Sequence, residues 1–204
     1  MSHDNSIINR YEKETESASL GCANLWPFIT LKEEMCILDL GCGRGMQTRE
    51  LGQRLRGTGQ VIGLDLTPAM VQNARAANNL TNVDFVVGTI EALPFADNIF
   101  DLIVSNCVIN HARDKRKVYE EIFRTLKSGG KFIIGDVTSV EELPPSVADD
   151  PKAVADCWGG AIPKEPYLQI VREIGFKHIA LEGSRVYPKN GFQLESIILR
   201  GEKA

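Results

Sequence analysis

The stretch that decides the fold is Ile37 to Gly45, which reads ILDLGCGRG. Its apolar start suits a buried strand, and Gly41, Gly43 and Gly45 permit a tight loop with close approach of a ligand to the backbone. The next segment, Met46 to Leu55, has apolar side chains at helical spacing. The sequence therefore predicts a strand, a glycine loop and a helix, a unit whose loop amides and helix N-terminus face a ligand. On this stretch alone, a plain glycine-rich turn is the alternative.

The composition is that of an ordinary globular protein with one domain. The chain has 204 residues, of which 43% are hydrophobic and 25% charged, and its formal net charge is -4. This charge argues against nucleic-acid binding, and no apolar stretch approaches the roughly 20 residues of a membrane span. Met1 to Arg10 has no signal-peptide character, and five cysteines without a disulfide-framework spacing fit a reducing compartment. We expect a cytoplasmic protein with a small-molecule ligand and no nucleic-acid or membrane partner, and the oligomeric state stays open.

Apolar runs and amphipathic segments alternate along most of the chain. This alternation predicts an α/β fold, a mostly parallel sheet with helices on both faces, and a turn at 187–191 adds an antiparallel end. The predicted strands are 36–40, 60–66, 83–87, 100–108, 131–136, 177–187 and 192–200, and the predicted helices are 46–55, 67–78, 115–126 and 165–174.

We predict a single domain over residues 1–204. Residues 138–160 are proline-rich and acidic and show no periodic pattern, and a connection this long inside a compact domain is usually a functional lid or disordered. The predicted parts are an N-terminal cap (1–34), a cofactor-binding core (35–136), a lid or acceptor loop (137–165) and a C-terminal helix and hairpin (166–204).

An acid ends the second predicted strand. Asp65 lies 26 residues beyond Asp39, a spacing at which a carboxylate can accept hydrogen bonds from both hydroxyls of a ribose. The alternative, which the spacing leaves open, is a helix N-cap ahead of Pro68. A glycine loop with such an acid is typical of nicotinamide or flavin dehydrogenases and of S-adenosylmethionine methyltransferases. A dinucleotide site requires G-x-G-x-x-G, and here Gly45 comes one residue too early, which favours S-adenosylmethionine.

The stretch from Asp39 to Gly45 resembles the first motif of class I methyltransferases. The resemblance continues through Asp65, Ile90-Glu91, Phe100 to Asn106 and Leu126 to Gly130, and covers roughly residues 35 to 136. It implies a Rossmann-like, mostly parallel seven-stranded sheet with an antiparallel C-terminal strand, and S-adenosyl-L-methionine as cofactor. The residues that it implies for the cofactor site are Asp39, Gly41, Cys42, Gly43, Gly45, Asp65, Leu66, Ile90, Glu91 and Asn106.

The five cysteines divide into two groups. Cys42 in the glycine loop and Cys107 in an apolar strand are expected to be structural, and packing is also favoured for Cys36. Cys22 and Cys157 differ, because both lie in irregular, glycine-flanked segments on either side of the cofactor-binding core. From the residues alone, a chemical role and a buried structural role are equally open for these two thiols.

Several motifs also resemble those of the arsenite methyltransferase family. Ser105 to Asn110 (SNCVIN) follows the fourth strand, Cys157 to Ala161 (CWGGA) is similar to the arsenic-binding segment, and Leu20 to Asn24 (LGCAN) to an upstream thiol element. The resemblance implies methylation of arsenite or monomethylarsenite, with Cys22 and Cys157 as the thiols that hold arsenic for catalysis. The family's third thiol is missing at 189–191, which leaves three possibilities. Cys36 or a small thiol completes the site, or the substrate is a monomethylated arsenical that needs only two sulfurs. The third possibility is that arsenic is not the substrate.

The chemistry agrees with this resemblance. Trivalent arsenic is soft and binds thiolates better than carboxylates, and its lone pair attacks the sulfonium methyl in line, which makes positioning the main catalytic task. Two alternatives remain: a small-molecule methyltransferase acting on O, N, C or S with incidental cysteines, and a non-catalytic thiol protein that binds the metalloid. His111 follows the SNCVIN run, and a surface position is favoured for it over contact with the acceptor.

Overall fold

A single seven-stranded sheet forms the centre of the protein. The structure, a computed structural model, describes residues 3–13 and 23–204. The strands are β1 (Cys36–Leu40), β2 (Gln60–Asp65), β3 (Val83–Val87), β4 (Phe100–Asn106), β5 (Leu126–Ser139), β6 (Lys177–Lys189) and β7 (Phe192–Glu202).

The sheet runs in the order β3-β2-β1-β4-β5-β7-β6. The first five strands are parallel, and β7 is antiparallel to both β5 and β6. This arrangement confirms the predicted fold class. The strand order reverses between β1 and β4, and in open α/β sheets ligands bind at such a reversal, outside the carboxyl ends of the strands.

Helices cover both faces of the sheet. The helices are α1 (His3–Glu12), α2 (Met46–Arg54), α3 (Pro68–Ala76), α4 (Lys115–Thr125), α5 (Pro145–Ala148), α6 (Pro151–Ala155) and α7 (Lys164–Ile174). Side chains of α4 and α7 form one apolar core with the sheet, and side chains of α2 and α3 form a second one. Their amphipathic stripes explain the division, because each helix buries its apolar face against the strands. Among the described residues, no helix is long and apolar enough to span a membrane.

The segment predicted as a lid or acceptor loop has more structure than the sequence indicated. It contains α5 and α6, and β5 continues to Ser139 before it. Two of its side chains, Val154 and Trp158, are buried, and Trp158 packs in an apolar cluster with Val137 and Leu194. Much of this segment is therefore packed against the domain.

The end of β4 differs from its predicted position. The strand ends at Asn106, and a short 3-10 helix begins at Ile109. Cys107 therefore lies in the connection at the carboxyl edge of the sheet, and the prediction that it belongs to an apolar strand was wrong. The sequence did not distinguish the two cases, because Cys107 and Val108 simply continue an apolar run.

Candidate functional site

The glycine loop closes tightly over the end of β1. The amides of Gly41 and Cys42 both donate to the carbonyl of Leu64 at the end of β2, over 2.7 and 3.0 Å. Gly45 has φ +71°, and a Cβ at this position would lie 2.3 Å from the ring of Phe85. Only glycine fits there without displacing Phe85, so packing as well as backbone conformation fixes the shape of the loop.

Asp65 connects this loop to α3. One carboxylate oxygen accepts a hydrogen bond from the amide of Gly43 at 2.8 Å, and the other accepts one from the amide of Thr67 at 2.8 Å. Burial raises the pKa of Asp65, while these amides act in the opposite direction. The N-cap residue of α3 is Thr67, so the N-cap alternative for Asp65 was wrong, and the bond to the Thr67 amide belongs to the turn before the helix. The same side chain lies in the wall of a pocket.

Asp39 is buried beneath the loop. Its carboxylate accepts a hydrogen bond from the hydroxyl of Thr48 on α2 at 2.6 Å. Burial raises its pKa to about 7, with a smaller contribution from the charge of Asp65. Burial and these two carboxylates also raise the pKa of the Cys42 thiol well above its usual range. A thiol held in its neutral form is a poor nucleophile and ligand, which agrees with the structural role expected for Cys42.

A pocket opens at the carboxyl edge of the sheet, beside the loop. All ten residues predicted for the cofactor site line it or its immediate support: Asp39, Gly41, Cys42, Gly43, Asp65, Leu66, Ile90, Glu91 and Asn106 form its wall, and Gly45 closes the loop behind it. The carboxylate of Glu91 also accepts a hydrogen bond from the amide of Asp114 at 2.9 Å. The side chain of Asn106 binds both the amide and the carbonyl of Ala23.

Helix α1 supplies pocket residues that sequence reasoning missed. Ile7 and Tyr11 line the pocket, and Ile7 is only 5% exposed. The sequence placed an N-terminal cap here without naming residues, because a short polar helix carries no motif. An apolar residue such as Ile7, four positions before a tyrosine on the same helical face, was the only available signal.

Two thiols meet beside this pocket. The sulfur of Cys157 lies 3.3 Å from the sulfur of Cys107, and it donates to the Cys107 carbonyl at 2.7 Å. Cys107 lines the pocket, and Cys157 is 8% exposed. At bond lengths of about 2.3 Å, as in zinc thiolates, one soft atom can contact both sulfurs. Cys107, for which the sequence favoured a structural role, is therefore the thiol that lies next to Cys157.

Both cysteines have an unusual backbone conformation. Cys107 and Cys157 each have φ +64°, in the left-handed region that side chains other than glycine rarely adopt. Such strain costs about 1–3 kcal/mol per residue and persists only where the surroundings enforce it. Part of that enforcement comes from Gly160, because a Cβ there would lie 2.0 Å from the carbonyl oxygen of Asn110. The turn that carries Cys157 is thus packed directly against the segment that follows Cys107.

The structure does not bring Cys36 to this pair. Cys22 lies outside the described residues. Cys36 begins β1, at the amino end of a strand whose carboxyl end reaches the pocket, and four residues of strand separate the two ends by about 13 Å. Cys36 therefore cannot bind one arsenic atom together with Cys157 here. Within residues 3–13 and 23–204, no group of three or more His, Cys, Asp or Glu side chains could hold a metal ion.

A buried cation, Lys115, lies close to the turn that carries Cys157. The ammonium of Lys115 donates to the carbonyl of Gly160 at 2.6 Å, and burial lowers the pKa of Lys115 although the carboxylate of Asp136 opposes this. Asp136 is fully buried and accepts a hydrogen bond from the hydroxyl of Tyr167 at 2.9 Å. Burial raises its pKa to about 6. Buried polar side chains, Lys115, Asp136 and Tyr167, therefore lie next to the turn that carries Cys157.

The comparisons with known proteins agree with this geometry. A sequence profile described as a methyltransferase domain matches residues 31–178. The chain belongs to the methyltransferase domain family. It is 35% identical over 165 residues to an arsenite methyltransferase of Halobacterium salinarum, an alignment that covers 79% of this chain and 42% of that protein. It is 30% identical over 208 residues to the human arsenite methyltransferase, covering 96% of this chain and 55% of that protein.

A solved structure extends the likeness to the whole chain. An arsenic(III) S-adenosylmethionine methyltransferase from Chlamydomonas reinhardtii superposes with a TM-score of 0.79 at 25% identity, covering 100% of this chain and 74% of that one. The methyltransferase fold and the resemblance to arsenite methyltransferases are thereby confirmed. The chain spans about half the length of the curated relatives that it matches.

Proposed function

We propose that this chain is an S-adenosylmethionine-dependent methyltransferase that methylates trivalent arsenic, as arsenite or monomethylarsenite, held by Cys107 and Cys157. The observation that carries the proposal is the 3.3 Å separation of these two sulfurs beside the pocket. The similarity to proteins named arsenite methyltransferases supports the same acceptor. Cys157 keeps its predicted role, Cys107 takes the place proposed for Cys36, and Cys22 remains a predicted further ligand.

The proposed cofactor site is the pocket at the end of β1 and β2. S-adenosylmethionine has no phosphate groups, and the pocket offers backbone amides, carboxylates and apolar walls. Gly43 faces open space within it, so the backbone there is accessible to a ligand. We assign the ribose hydroxyls to Asp65 and the adenine to the region of Leu66 and Ile90, with Glu91 beside it.

The proposed chemistry depends on how the chain holds the acceptor. Each thiol that binds arsenite replaces one hydroxyl, which leaves as water with the thiol proton. S-adenosylmethionine supplies an electrophilic methyl group on a positively charged sulfur. When the arsenic lone pair forms the new bond to carbon, the electrons of the broken bond stay on that sulfur, and the positive charge passes to arsenic. Since the nucleophile is a lone pair, no general base is required, and the contribution of Cys107 and Cys157 is binding and alignment.

A methyl-transfer assay tests the proposal. The reduced protein is incubated with methyl-labelled S-adenosylmethionine, a small thiol and either arsenite or monomethylarsenite. We expect labelled methylarsenicals from the wild type and a loss of at least about 100-fold in Cys107→Ser and Cys157→Ser, with unchanged cofactor affinity. Cys36→Ser is the matched control and is expected to retain activity, because Cys36 lies at the other edge of the sheet.

The other outcomes separate the alternatives. If the wild type binds the cofactor but neither binds nor methylates arsenic, arsenic is not the acceptor, and a small-molecule O, N, C or S methyltransferase with incidental cysteines becomes the better hypothesis. If it binds arsenic tightly at the thiol pair and transfers no methyl group, the non-catalytic metalloid-binding alternative is correct.

We also propose that residues 1–204 act as one methyltransferase domain, with the N-terminal cap (1–34), core (35–136), acceptor segment (137–165) and C-terminal helix and hairpin (166–204) predicted above. The contacts of α1 with pocket residues support the role of the cap. A small thiol as partner and a cytoplasmic location stay predictions.

A further inference from the structure

One histidine connects the two segments that carry the thiol pair. Cys107 precedes the 3-10 helix Ile109–His111, and Cys157 lies two residues beyond the end of α6. Between these segments, Nδ1 of His111 lies 3.0 Å from the carbonyl oxygen of Val154 in α6. A carbonyl oxygen only accepts, so Nδ1 carries the proton and donates it. His111 is partly buried and lines the pocket, which differs from the surface position favoured from the sequence.

The other ring nitrogen of His111 faces helix α1. The hydroxyl of Tyr11 lies 3.1 Å from Nε2, and the two rings meet edge to face with centroids 5.5 Å apart. Burial lowers the pKa of His111, so the ring is neutral near pH 7 and Nε2 is an acceptor. Tyr11 therefore donates to Nε2, and this bond also holds the tautomer that donates to Val154.

Helix α1 spans the same two segments. The imidazole of His3 contacts the carbonyl of His111 at 2.6 Å, and the guanidinium of Arg10 pairs with the carboxylate of Asp156, next to Cys157, at 2.9 Å. Asp156 and Arg10 are both partly exposed, so this ion pair contributes little by itself. Of these contacts, the partly buried bond between His111 and Val154 is the one that joins the two thiol-bearing segments directly.

We propose that His111 is a positioning residue that sets the approach of Cys107 and Cys157. It does so by joining the 3-10 helix Ile109–His111 to α6, through the bond from Nδ1 to the carbonyl of Val154. This inference rests on the proposed function, because it concerns the thiol pair that binds the arsenical. Once one sulfur has bound, attachment of the second is intramolecular, and its strength depends on how closely the two segments are held together. Loosening the bond lowers the affinity for a ligand that needs both sulfurs and leaves each single thiol reactive.

The two bonds of His111 can be removed separately. The His111→Asn substitution keeps a donor near the position of Nδ1 and loses the group at Nε2, whereas His111→Gln keeps a polar group near Nε2 and loses the donor to Val154. Tyr11→Phe removes only the hydroxyl that binds Nε2. These three variants distinguish the bond between the thiol segments from the bond to α1, and His111→Ala removes both.

The experiment measures binding of phenylarsine oxide, which reacts with two thiols to form an arsenic dithiolate and water. Cys107→Ser defines the background from the remaining cysteines. We expect affinity to fall about tenfold in His111→Gln and His111→Ala, the effect of losing roughly 1.4 kcal/mol, and to stay within about threefold of the wild type in His111→Asn and Tyr11→Phe. Alkylation of Cys107 by a monofunctional reagent, followed by mass spectrometry, is expected to change less than twofold.

The outcomes separate this inference from the proposed function. If the wild type binds phenylarsine oxide no better than Cys107→Ser does, the thiol pair itself is wrong. If the wild type binds strongly and His111→Gln binds equally well, the thiol pair stands and the positioning role is overturned. An equal loss in His111→Asn and His111→Gln also overturns it, since the effect would then not follow the bond to Val154. Thermal unfolding of each variant confirms that folded proteins are compared.

Discussion

At the residue scale, Asp65 is the side chain with the clearest dual role. Its two oxygens hold Gly43 of the glycine loop and Thr67 at the start of α3. The sequence left the ribose and N-cap interpretations open as alternatives. The N-cap of α3 is Thr67, which rules out the second interpretation. The first stays open as a proposal, because a carboxylate has about four acceptor positions and these two amides leave capacity for a ribose. The side chain therefore shapes the loop before any ligand binds.

Replacing Asp65 tests the assignment of the cofactor pocket. We expect Asp65→Ala to weaken S-adenosylmethionine binding at least about tenfold, because hydrogen bonds to a charged group contribute about 1.5–3 kcal/mol. Titration calorimetry measures the affinity. Asp84→Ala is the control, since Asp84 is an exposed acid on β3 outside the pocket. Equal affinities of Asp65→Ala and the wild type would remove Asp65 from the proposed site.

The raised pKa of Asp136 predicts that the stability of the fold depends on pH. This pKa is raised from an ordinary value near 3.8 to about 6, mainly by burial, despite the attraction of Lys115 and His111. As pH rises from about 4 to about 6, the unfolded chain therefore loses this proton first, and the folded state loses stability relative to it. Two pKa units correspond to about 3 kcal/mol at 1.36 kcal/mol per unit.

The corresponding measurement compares the wild type with Asp136→Asn in denaturant titrations between pH 4 and 6. We expect the free energy of unfolding of the wild type to fall, relative to the variant, by up to about 3 kcal/mol across this window and to change little above it. Asp39, whose pKa is also raised, contributes equally to both proteins. Two parallel stability curves would show that burial does not shift the Asp136 titration.

The contact between Cys107 and Cys157 could not be predicted from the sequence. The SNCVIN and CWGGA motifs indicated arsenic chemistry, yet Cys107 was assigned to a strand because the apolar run did not show where β4 ends. The left-handed conformation of Cys107 and Cys157 has no sequence signal either, since it is imposed by neighbours such as Gly160 and Asn110. Cys107 and Cys157 are 50 positions apart in sequence, so their contact depends on the packed fold and could not be read from either motif.

At the scale of elements, the sequence predicted the regular helices and strands well, because their apolar periodicity is strong. Strand β3 matches its predicted bounds, and α2, α4 and α7 differ only by a residue at one end. The short helices α5 and α6, with four and five residues, were missed. A single turn is too short for a period to be recognised, and its stability depends on packing.

Helix α1 provides the test at this scale. Ile7 is its one buried residue, and burial of an isoleucine is worth about 1.5–3 kcal/mol. We expect Ile7→Asp to release α1 from the pocket without unfolding the domain, because a buried unpaired charge is unfavourable. Hydrogen exchange of residues 3–12 is expected to accelerate, and cofactor affinity to fall about tenfold.

The control for this experiment is Glu12→Ala on the exposed end of the same helix. If Ile7→Asp leaves both the exchange rates and the cofactor affinity at the values of the wild type and of Glu12→Ala, then α1 is not part of the binding site. A loss of affinity together with a large drop in global stability would instead show that α1 is essential to the fold.

At the scale of the whole molecule, the sheet order determines which cysteines can cooperate. The reversal between β1 and β4 brings the glycine loop and the segment after β4 to one edge. Cys36, a candidate from the sequence for the missing third thiol, lies at the opposite edge. Alternation of strands and helices predicted a parallel sheet, but distances between residues far apart in sequence followed only from the packed structure.

The central claim is that Cys107 and Cys157 bind one arsenic atom together. X-ray absorption at the arsenic edge measures this directly, by counting sulfur neighbours in the reduced protein loaded with less than one equivalent of arsenite and no free thiol. We predict at least two sulfur neighbours in the wild type, one fewer in either Cys107→Ser or Cys157→Ser, and an unchanged number in Cys36→Ser. The same number of sulfur neighbours in the wild type and in the Cys107→Ser, Cys157→Ser double variant would contradict the account.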